Sequence, residues 1–167
     1  MELWEHQRRG LAELWELMTP GNAICFTSPT GGGKTVCMTQ ILKHVGRSIL
    51  YTNRRMLLDQ TAKVLEREGI SFGYRAAGHA PEFHRPIQLS SIQTEASRVI
   101  KRDSWPLHDA EVVLIDEAHA NKEGVMCELI RRHREAGAII VGVTATPLDI
   151  GHIYDHLVVA GKTRELI

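Results

Sequence analysis

The chain has 167 residues, 43% hydrophobic and 24% charged, which suits one globular domain with a substantial core. Twenty Lys and Arg balance twenty Asp and Glu, so no global field draws it to nucleic acid, and any such site must be a local patch. No apolar run approaches the ~18 residues that span a bilayer, and Glu2, Glu5, Arg8 and Arg9 argue against a signal peptide. The three cysteines, Cys25, Cys37 and Cys127, are far apart in apolar segments. They fit buried thiols of a reducing compartment, so the expected location is cytoplasmic.

In chain order, periodicity predicts a helix over 3–18, with Leu11, Leu14, Trp15 and Met18 on one face and Pro20-Gly21-Asn22 ending it. An apolar strand over 23–27 follows. Then comes Ser28-Pro29-Thr30-Gly31-Gly32-Gly33-Lys34-Thr35, whose glycines let the backbone turn tightly and bring its N–H groups to a triphosphate. Lys34 can reach the outer phosphates and Thr35 can offer its hydroxyl to magnesium. The usual pattern begins with glycine where Ser28 stands, and serine is small enough to keep the loop. A helix over 36–45 follows, so the loop sets its anion at a helix N-terminus.

Further on, a strand over 48–52 leads to a helix over 54–68, closed by Gly69 in the position of a left-handed cap. A short strand over 70–74, a loop over 76–85, a strand over 86–92 and a short helix over 94–100 come next. The strand over 111–115 is strongly apolar and runs directly into Asp116-Glu117-Ala118-His119. A helix over 123–134, a strand over 138–143 and an irregular helix over 148–159 complete the chain. Apolar strands alternating with helices predict an α/β fold with a mostly parallel central sheet flanked by helices. Ligands of such sheets bind beyond the carboxyl ends of the strands, where the glycine loop and the acidic motif both fall. Asp116 can hold magnesium and Glu117 can polarise a water, the positioning and charge stabilisation that phosphoryl transfer needs.

The ordered motifs resemble superfamily 2 helicases and translocases. Asp116-Glu117-Ala118-His119 is similar to the DEAH form of their Walker B motif. Thr52-Asn53-Arg54-Arg55-Met56-Leu57-Leu58-Asp59-Gln60 resembles motif Ia, Ser90-Ser91-Ile92-Gln93-Thr94 the TxQT motif, and Thr144-Ala145-Thr146-Pro147 motif III. The resemblance implies a three-layer, RecA-like P-loop NTPase domain using ATP and Mg2+. Lys34, Asp116, Glu117 and His119 would be catalytic, and Thr35 and Asp116 would hold the metal. Gln7, with Pro29, Thr30, Gly31, Gly32, Gly33, Lys34 and Thr35, would bind ATP. By the same resemblance Thr52, Arg54, Arg55, Ser91, Gln93 and Thr94 would touch one nucleic-acid strand. His119, Thr144 and Thr146 would couple the two sites.

Thr-Ala-Thr-Pro leans toward the DNA-remodelling and restriction-type branch. Residues 1–167 read as a single first lobe, weakly active alone, because family members take their arginine fingers from a second RecA-like lobe. A nucleotide-binding regulatory or assembly module without motor activity is the alternative. Arg131-Arg132-His133-Arg134 reads as a solvated helix end. The three tryptophans read as packing, and the nine histidines carry no zinc spacing.

Overall fold

Strands apolar along their whole length must be covered on both faces, and three strands of this chain are buried at every position: β1 (Ala23–Thr27), β2 (Ser48–Thr52) and β5 (Val112–Asp116). The structure, a computed structural model, describes residues 3, 5–27, 33–118, 124–145, 151 and 153–159. Helix α1 (Glu5–Leu17) precedes β1, and α2 (Lys34–His44) and α3 (Arg55–Arg67) flank β2. Strands β3 (Gly73–Arg75) and β4 (Ile87–Ser91), a short α4 (Ile92–Glu95) and a π-helical run (Ala96–Lys101) lead to β5. Helix α5 (Val125–Glu135) and strands β6 (Ile139–Thr144) and β7 (His156–Val159) follow. The seven strands lie in the order β3-β4-β2-β5-β6-β1-β7, every pair parallel.

Alternation along the strands divides the core into two layers. Phe26, Leu50, Leu114 and Val141 pack with Leu14, Ile41 and Leu65 on one face. Cys25, Tyr51, Ile115 and Ile140 pack with Leu129 and Tyr154 on the other. All three cysteines are free, and burial pushes the Cys25 and Cys37 thiols up to about 11. Among the described residues no helix is long and apolar enough to cross a membrane.

Register aligns the carboxyl ends of five strands into one polar edge. Thr27 of β1 lies beside Thr144 of β6, Thr52 of β2 beside Ser91 of β4, and Asp116 of β5 beside Val143 of β6. One element departs from expectation. The stretch 148–159 was expected to be an irregular helix; its last four residues instead form β7 against β1, Ile24 beside His156 and Thr27 beside Val159. The open edge of β1 offers unpaired backbone groups, and Asp155 seats the strand by donating its N–H to Ala23 O and accepting from Ala23 N at 3.0 Å.

Candidate nucleotide site and adjoining cleft

Helix α2 starts at Lys34 because Gly33 turns the chain into it with φ 81, left-handed backbone that favours glycine. A Cβ at Gly33 would also run into Nε2 of Gln7. Helix α1 thus delivers Gln7, buried, against Gly33 at the start of α2. Lys34 Nζ donates to Glu117 Oε1 at 3.0 Å. Glu117 follows β5 with φ 54, a backbone that side chains seldom adopt, and the turn is fixed by Ala118 N–H donating to Val143 O at 3.1 Å. Thr35 is half-buried at the first turn of α2, where its carbonyl accepts from Thr39 Oγ1 at 2.9 Å.

Asp116 is fully buried. Thr52 Oγ1 donates to its Oδ2 at 2.7 Å, and Arg54 grips both oxygens, Nε to Oδ2 at 2.9 Å and Nη2 to Oδ1 at 2.9 Å. That hydrogen bond holds the Arg54 guanidinium above its ordinary pKa. The same guanidinium reaches Glu117 Oε1 at 3.7 Å. The Asp116 carboxylate is a hard oxygen donor of the kind that could hold magnesium, and here both of its oxygens are engaged by Arg54 and Thr52. Thr144 is buried on the neighbouring strand end. Pro29, Thr30, Gly31, Gly32, His119 and Thr146 lie outside the described residues.

Beside this site a cleft of about 140 Å³ is lined by Thr52, Asn53, Arg55, Leu58, Ala76, Ala77, Ser91, Gln93 and Thr94. The fold therefore brings together five of the six residues singled out for nucleic acid. The sixth, Arg54, is turned to Asp116, a link that neighbours on a predicted helix start do not reveal. Asn53 joins the cleft from inside the quoted motif. Arg54 precedes α3 in extended backbone and no side chain caps the helix, so α3 presents its amide end at Arg55 to the cleft edge. Arg55 Nη2 spans the cleft to Ala77 O at 3.5 Å.

A family described as "Type III restriction enzyme, res subunit" matches residues 1–149. The chain belongs to this family. It is 25% identical over 151 residues to "Putative helicase 055L" of Frog virus 3, covering 89% of this chain and 34% of that protein. In fold it is similar to the helicase domain of Pyrococcus furiosus Hef, with TM-score 0.68, 19% identity, and 90% and 37% of the two chains covered. It is likewise similar to a hypothetical ATP-dependent RNA helicase of Sulfolobus tokodaii, with TM-score 0.66, 20% identity, and 96% and 53% covered. The UvsW helicase of bacteriophage T4 gives TM-score 0.68 at 12% identity, with 95% and 60% covered. The chain spans about a third of the Frog virus 3 protein's length. The architecture is that of the first RecA-like lobe of superfamily 2 helicases, and the module without motor activity is not favoured.

The remaining basic run of this family member divides by face. Arg131 and Arg132 hold Glu128 down to about 2 at the solvated helix end. His133 turns inward, 1% exposed, with Nε2 at 2.8 Å from Tyr51 Oη. Arg134 ties α5 to Gly21 O and Asp155. Trp105 packs over Arg75 and Arg98. Among the described residues no group of three His, Cys, Asp or Glu could hold a metal ion.

Proposed function

We propose that this chain binds ATP with magnesium at Lys34, Asp116 and Glu117 and serves as the first lobe of an ATP-dependent motor on nucleic acid. Magnesium would supply charge neutralisation at the phosphates, held by Thr35 and Asp116. Lys34 would bind the outer phosphates, Gln7 would hydrogen-bond the adenine edge, and Glu117 would orient the attacking water. The carrying observation is that Thr52 belongs to both sites: it donates to Asp116 and lines the cleft of Arg55, Ser91, Gln93 and Thr94. Hydroxyls, amides and arginine suit a sugar–phosphate backbone, which positions a strand without reading its sequence. The Thr144–Pro147 segment leans this reading toward DNA over RNA. A second lobe in the whole protein would supply the arginines for fast turnover, which leaves this lobe a weak hydrolase.

Thermal unfolding tests the nucleotide claim. With MgATP at about a hundred times Kd, linkage gives about 2.7 kcal/mol, or roughly 5–10 °C for a chain of this size. Lys34→Ala should lose most of that rise. No rise in the parent, or an equal rise in Lys34→Ala, sinks the proposal.

A further inference from the structure

A buried ion pair lies under the cleft, and the nucleotide chemistry does not use it. Arg75, the last residue of β3, is 1% exposed, and Glu95, in α4, is fully buried. Arg75 Nε donates to Glu95 Oε1, and its Nη2 donates to Glu95 Oε2 at 3.4 Å and to Pro106 O at 2.6 Å. Ser90 Oγ of β4 donates to Glu95 Oε1 at 3.0 Å. The guanidinium faces the rings of Phe83 and Trp105 at 5.2 and 5.5 Å. One group thus fastens β3, the loop at Phe83, β4, α4 and the loop at Pro106.

The chain positions on either side of the pair are the cleft's walls. Ala76 and Ala77 follow Arg75 directly; Gln93 and Thr94 precede Glu95 directly. A buried ion pair is a poor source of stability, because desolvation offsets its attraction and apolar residues of similar volume serve as well or better. What it supplies is fixed distance and direction between two walls that are otherwise a three-residue strand end and a four-residue helix. We propose that Arg75 and Glu95 are positioning residues that set the width of the cleft for a nucleic-acid backbone. The inference rests on the reading of that cleft as a nucleic-acid site.

The test pairs two readouts on the same chain: the MgATP-induced rise in Tm, and anisotropy of a labelled single-stranded oligonucleotide. The double variant Arg75→Met/Glu95→Leu fills the space with apolar side chains and avoids a lone buried charge. It should fold, keep the nucleotide response, and bind the oligonucleotide about tenfold more weakly, as expected when one wall's polar contacts are lost. A purely structural role would move both readouts together or neither. Ser90→Ala, which removes one bond to Glu95 and leaves both charges, should weaken oligonucleotide binding about threefold and decides the matter if the double variant does not fold. Parental oligonucleotide affinity in either folded variant overturns the positioning role alone. A parent that responds to MgATP but does not bind the oligonucleotide overturns the cleft reading and the positioning role with it.

Discussion

At the scale of single residues, Arg54 is the side chain with two claims on it. It lies between Thr52 and Arg55, which line the cleft, yet its guanidinium closes on both oxygens of Asp116. A magnesium ion would need those same oxygens, so the cation and the guanidinium compete. Arg54→Ala removes two charge-assisted hydrogen bonds from a fully buried carboxylate. Arg54 is about half exposed, which screens the pair, so the expected loss is about 1–2 kcal/mol rather than the larger penalty of a fully buried pair. Magnesium without nucleotide should then raise the Tm of Arg54→Ala more than that of the parent. Equal magnesium responses in titrations of the two would show that the guanidinium does not guard the metal oxygens. Glu117 carries the other local cost: left-handed backbone of roughly 1–2 kcal/mol, held by its bond from Lys34 and by the Ala118 turn.

At the scale of elements, α3 shows why part of this molecule is legible in its sequence. Its end is a local event: Gly69 takes φ 70, its N–H donates to Glu66 O at 3.1 Å, and Ile70 N–H donates to Leu65 O at 2.9 Å. Gly69→Ala meets no atom within 4 Å, so its cost is backbone strain alone, about 1 kcal/mol, read as a Tm lower by about 2–4 °C. An unchanged Tm would mean that this cap does not hold the helix end. The apolar strands and the acidic strand end are legible for the same reason, each being written in consecutive residues. Partnerships across the sheet are not. Arg75 and Glu95 stand twenty residues apart with a loop between them, and only the parallel pairing of β3 with β4 brings them together. The π-helical run is equally hidden, because residues 96–101 fit a helical period whether bonds close at four or five residues; Arg102 N–H donates to Ser97 O. β7 depends on an edge of β1 that lies 132 residues earlier at the Ala23–Asp155 contact.

At the scale of the whole molecule, twenty basic residues balance twenty acidic ones, so self-repulsion contributes little near neutral pH and individual buried groups set the response to acid. Two histidines dominate. His133 is buried in the layer between α5 and β2, and burial pushes its pKa down from 6.5 to about 3. His108 is lowered by burial too, with its Nε2 at 2.9 Å from Pro86 O. His133 is thus neutral in the fold, His108 is biased toward its neutral form, and both protonate in the unfolded chain near pH 6.5. The unfolded state therefore binds the extra protons, so stability is full above about pH 6.5 and falls as pH drops from there toward about 3. Glu128 and Asp109 have lowered pKa values, and their losses begin only below the ordinary carboxylate range near pH 4. The interval from pH 6.5 to about 4.5 thus belongs to the buried histidines, with a limiting slope of about 1.4 kcal/mol per pH unit for His133 and a contribution of the same sign from His108. His133→Gln keeps a hydrogen-bonding group for Tyr51 and removes one titration. Urea unfolding at pH 7, 6 and 5 should give a steep decline in the parent and a slope smaller by up to about 1.4 kcal/mol per unit in the variant. Parallel declines would show that His133 is not held neutral between the sheet and α5.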